Sequence, residues 1–83
     1  MTKKEKNELK RIYEKSVSNC CVYGRLFYKT HKQEYKNKFE RATNEKIILE
    51  IFMASININA YSILTHEERD AIDDDAYRLT EKE

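Results

Sequence analysis

The residues with the most chemical potential in this chain are cations at helical spacing. Arg25, Lys29, Lys32 and Lys36 follow at intervals of four, three and four, which on a continuous helix puts four positive charges on one face. Arg11 and Lys15 extend that face toward the N-terminus. Tyr28, Tyr35 and Phe39 stand on adjacent faces, so the surface offers cations to phosphates and aromatic planes to unstacked bases. A nucleic acid or an acidic protein would recognise it. The plainer reading of a lysine-rich stripe is the solvated side of an amphipathic helix, and no recognised DNA-binding pattern accompanies it.

A second set has the opposite sign. Glu67, Asp70 and Asp74 fall on one helical face, within a cluster that also holds Asp73 and Asp75. Such a row can mimic phosphates or dock on a basic protein surface. It also suits the first turns of a helix, where the dipole favours negative charge. It is no calcium loop, because the glycine and the distant glutamate of that motif are missing.

Catalytic chemistry finds little material. His31 and His66 are far apart in sequence and lack zinc-ligand spacing, so no metal is expected. His31 reads as partly buried near an apolar seam and His66 as a surface residue at a helix start. Cys20 and Cys21 are adjacent and point about 100° apart on a helix, so they are expected to be free thiols. A neighbouring cation could activate one of them, but no partner stands at a known catalytic spacing. There is one glycine, Gly24, and hence no glycine loop to cradle a phosphate and no nucleophile elbow. The chain is expected to be no enzyme and to carry no cofactor.

Six tyrosines and three phenylalanines exceed what three helices need for a core. Tyrosine anchors protein interfaces, and Tyr23, Tyr28, Tyr35 and Tyr77 are the candidates, since they share a helix face poorly with their apolar neighbours. Tyrosines lining a bundle edge with their hydroxyls in water is the plainer alternative.

The elements that must position these groups are helical. With no proline and one glycine in 83 residues, the turns of a sandwich or barrel cannot be built. Apolar residues from Leu9 to Ala42 recur at three and four, Thr2 and Glu5 form a capping box, and the pattern predicts one helix over about 3–41. Gly24 marks either a close contact or a break that would make four helices of three. Thr43 and Asn44 read as N-caps of a second helix over about 44–63, apolar nearly all round and therefore central. Residues 55–63 also alternate partly with period two, which leaves a strand as a minor alternative there. Thr65 and Glu68 form a second capping box, opening a third helix over about 66–80 that lies across the other two. The fold class is all-α: a small antiparallel bundle, one domain over 1–83.

The net charge of +1 hides a split, with +7 on residues 1–41 and −6 on residues 42–83. Antiparallel helices within the monomer, a dimer or separate partners would each satisfy it. Residues 1–10 are charged, so no secretory leader is expected, and the 18-residue run Ile47–Leu64 contains Glu50 and two asparagines, so no membrane span is expected either. Free thiols favour a reducing, cytoplasmic setting. Lys, Asn, Ile and Tyr number 31 against 11 for Gly, Ala, Pro and Arg, the bias of AT-rich coding sequence in low-GC bacteria, their phages and mobile elements. These features point to a small inhibitor or adaptor that occupies a surface of a host protein. The alternative is a nucleic-acid-binding regulator using the basic face. The apolar surface of 47–64 exceeds what three helices cover, so a homodimer is expected.

Overall fold

The structure is a computed structural model and describes residues 1–82. Four helices are present among them and no strand: α1 (Lys3–Thr30), α2 (Gln33–Ser55), α3 (Ala60–Ile63) and α4 (His66–Thr80). This is the small all-α bundle expected from the pattern. None of these helices is long and apolar enough to cross a membrane.

The first helix ends earlier than its apolar periodicity predicts. Its break is neither at Gly24 nor at Thr43, but at His31, which takes a left-handed conformation with φ of 57°. Histidine tolerates that region better than most residues. Its N–H donates to the Phe27 carbonyl at 2.7 Å, while the Thr30 hydroxyl accepts from the Lys32 N–H. His31 is accordingly an exposed cap rather than a seam residue, its ring edge-on to Phe27. Thr43 and Asn44 lie inside α2, where Thr43 meets Cys20 on α1 (Oγ1 to Sγ 3.9 Å) and needs no capping role.

With a two-residue connection, α1 and α2 form an antiparallel hairpin. Three pairs set its register: Gly24 beneath the Phe39 ring, Cys20 against Thr43, and the Tyr13 hydroxyl donating to Glu50 at 2.7 Å. A Cβ at position 24 would sit 3.0 Å from Phe39 Cε1, so glycine serves here as a close contact within an unbroken helix.

The second helix stops at Ser55, well short of the expected residue 63. Asn57 has φ of 63°, its N–H donates to the Ala54 carbonyl, and the Ile58 N–H donates to the Met53 carbonyl at 2.8 Å. This is a Schellman stop with asparagine in the glycine position. The alternating stretch 55–63 is therefore a helix stop followed by the single turn α3, not a strand.

The last helix has the predicted bounds, and both capping boxes form. Thr65 Oγ1 accepts from the Glu68 N–H at 3.1 Å and Glu68 Oε1 accepts from the Thr65 N–H at 3.0 Å. Rather than crossing the hairpin, α4 runs parallel to α1, meeting it from Lys10–Glu68 at one end to Lys29–Thr80 at the other. The middle position thus belongs to α1, which packs on both α2 and α4, and α2 is an outer helix. Leu9, Tyr13, Met53, Leu64 and Ile72 form the core, with Val17, Leu49, Ile58 and Ile63 packed around it.

Because the α4 cap satisfies two end N–H groups, Thr65→Ala is expected to cost about 1 kcal/mol and lower the thermal midpoint by roughly 4–8 °C. Thr65→Ser should stay near wild type; melting followed by far-UV circular dichroism checks both.

Candidate functional site

The cations do not share one face, because the turn at His31 ends the helix that would have carried them. Arg11, Lys15, Arg25 and Lys29 remain on α1, while Lys32 and Lys36 belong to the hairpin tip and the start of α2, both exposed. On α1 the basic side is where the acidic helix sits. Arg11 and Lys15 line a shallow groove with Ile72 and Asp75 of α4. Arg25 stacks on the Tyr77 ring with its guanidinium carbon 3.3 Å from the centroid and donates to Thr80 Oγ1. Lys29 Nζ donates to the Thr80 carbonyl at 2.6 Å, placing a cation on the negative end of the α4 dipole. Part of the charge split is thus satisfied within the monomer, between parallel helices.

Glu67, Asp70 and Asp74 are all exposed on the outer side of α4, and among the described residues none forms an ion pair. Glu68, one step away, faces α1 instead. The Lys10 ammonium, 2.8 Å off, and the Thr65 N–H together hold its carboxyl down to about 2.

The four candidate tyrosines divide. Tyr28 is 80% exposed, and Tyr77 is exposed beneath Arg25; Tyr23 is half-buried with Lys38 over its ring, and Tyr35 is half-buried. The two left out of that set behave otherwise. Tyr13 is in the core, and burial with the Glu50 bond pushes its hydroxyl up to about 12, so it remains a donor. Tyr61 is exposed, flanked by Arg69 and the His66 ring. Nothing in the spacing around Tyr13 marks it as the core tyrosine except its place in the Leu9–Val17 seam.

A groove of about 450 Å³ opens among α1, α2, α3 and the start of α4, with Tyr13, Glu50, Lys46, Arg69 and both cysteines in its walls. Its polar groups are used up internally: Glu50 accepts from Tyr13 and from Lys46 at 3.4 Å, and the Arg69 guanidinium donates to the Ala60 and Tyr61 carbonyls. Burial and the nearby Asp73 carboxylate push the Cys21 thiol up to about 11, the opposite of what an activated nucleophile requires.

The most unusual surface is apolar. Ile48 and Ile51 are each 65% exposed, with Phe52 at 47% and Ile47 at 43%. Intervals of three and four join them into a stripe two turns long, continued by Ile56. Phe52 borders a groove of about 630 Å³ shared with Met1, Leu9 and Ile12 of the first helix and its cap. The all-round apolar composition of 47–64 is the signal for this stripe; it rightly implies more apolar surface than the bundle covers, and wrongly implies a central helix. Ile12 and Met1 carried no such signal.

The chain matches no family model, no curated protein and no solved structure.

The Glu68 contacts have a pH signature. A carboxyl held below its ordinary 4.5 contributes stability that is fully present above that value and lost as pH falls through about 2. Glu68→Gln should therefore flatten part of the fall in thermal midpoint across that window, measured as wild type minus variant.

Proposed function

We propose that the chain is a non-enzymatic protein-binding module that acts by occupying a surface of a host protein, in the manner of a small phage- or mobile-element inhibitor or adaptor. The observation that carries this reading is the exposed Ile47–Ile48–Ile51–Phe52 stripe. Contiguous apolar surface on a helix rimmed by polar groups marks a place where another protein packs. The exposed Tyr28, the row Glu67, Asp70 and Asp74, and the AT-rich composition support the same reading. Adjacent cysteines that cannot pair suit a reducing cytoplasm. Regulation through nucleic acid draws less support, since Arg25 and Lys29 hold the end of α4 and Lys32 and Lys36 stand on a different element.

Ile48→Lys with Ile51→Lys tests this, because both side chains are exposed and lysine favours the C-terminal half of a helix, so the fold should be kept. Capture from nuclease-treated extract should yield a stoichiometric protein with the wild-type chain, weakened by roughly 30-fold or more in the double variant if the stripe is a hot spot. Capture that disappears on nuclease treatment, or that is lost in Lys32→Glu with Lys36→Glu instead, would move the function to nucleic acid.

A further inference from the structure

We infer that the occupant of the α2 stripe is a second copy of this chain, packed through an antiparallel α2–α2 contact with Ile51 at its two-fold axis. This rests on the reading of the stripe as a protein-docking surface, puts a second copy there in place of the host protein, and leaves the host the exposed Tyr28 and the Glu67, Asp70 and Asp74 row.

Area is the first ground. The chain exposes 6231 Å², whereas a compact monomer of its 10.0 kDa exposes about 5,200 Å². The excess, roughly 1,000 Å², is comparable to the ~800 Å² that each partner contributes to a stable interface. The shape agrees: a radius of gyration of 13.7 Å and extents of 41 × 24 × 17 Å describe a longer body than the ~12 Å radius usual for this length.

Self-complementarity is the second ground. A two-fold contact sets the same patch against itself, so it needs a surface without a dominant charge and with bulky groups facing small ones. From Ile47 to Thr65 the only charged residue is Glu50, which is turned inward to Tyr13 and Lys46. With Ile51 on the axis, Ile47 and Ile48 of one copy lie opposite Ser55 and Ala54 of the other, large against small. Both small residues are exposed, and the Ser55 hydroxyl already donates to the Phe52 carbonyl at 2.6 Å, so covering it strands no donor. Lys38, Glu40, Arg41 and Glu45 confine the contact to the C-terminal half of α2 by leaving its other half polar.

Light scattering of the purified full chain should give about 20 kDa, twice the chain mass, falling to 10.0 kDa in Ile48→Lys with Ile51→Lys while the helical signal is kept. Under mild oxidation Ile51→Cys should form a covalent dimer that neither the wild-type chain, with its own Cys20 and Cys21, nor Lys38→Cys forms. A wild-type mass of 10.0 kDa at tens of micromolar overturns the proposal, as does a dimer that survives the double lysine variant. The locked Ile51→Cys dimer also separates this proposal from the reading beneath it. If it still captures the protein that the wild type captures, the second copy owns the stripe; if locking abolishes capture and the wild type is monomeric, the stripe belongs to the host protein. A monomer whose stripe variants leave every complex unchanged removes both.

Discussion

Everything in this molecule is arranged around α1, the helix that packs on both of the other long helices, α2 and α4. The α2 side is set by three contacts in one antiparallel register, and the closest of them is possible only because Gly24 leaves room for the Phe39 ring. The α4 side is set by Ile72 and Ala76 buried in the middle and by polar contacts at both ends, Lys10 on Glu68 at the start, Arg25 and Lys29 on Thr80 at the end. A helix committed on both sides takes the middle of the bundle whatever its average polarity. That leaves α2, the more apolar segment, on the outside with half its circumference uncovered.

The helix boundaries were legible where they are written in side-chain hydrogen bonds. Thr2 with Glu5 and Thr65 with Glu68 are local devices, complete within four residues, and both boxes are in place. The stops were not legible, because they use His31 and Asn57 in the left-handed region, and neither residue type announces a turn as glycine or proline does. Periodicity alone runs across such stops. Leu9 through Ala42 keep their three-and-four spacing over His31 because both arms of a hairpin present apolar residues to the same seam.

The candidate surfaces divide in the same way. Exposure of Glu67, Asp70 and Asp74 followed from spacing, since all three sit on one unbroken helix. The basic stripe failed as a single surface because its spacing was counted through a turn. The uncovered apolar surface was visible as composition, whereas the helix that carries it was misplaced at the centre, since greasiness on every face says that a helix has several neighbours but not whether they lie in the same chain. Tyr13 shows the limit for single residues: it is buried among Met53, Leu64 and Ile72, and the partner of its hydroxyl, Glu50, lies thirty-seven positions away.

The layout of α4 bears on how the molecule assembles. The α1–α2 hairpin closes through a two-residue turn, so its contacts form between segments held close from the outset. Pairs such as Arg25–Thr80 span fifty-five residues and must wait for a long loop to close. The topology therefore favours a hairpin that closes first and an α4 that docks on it afterwards, by Ile72 and Ala76 in the middle and polar groups at both ends. The same asymmetry in reverse makes α4 the unit expected to open first under native conditions, with amide exchange ahead of that of the hairpin.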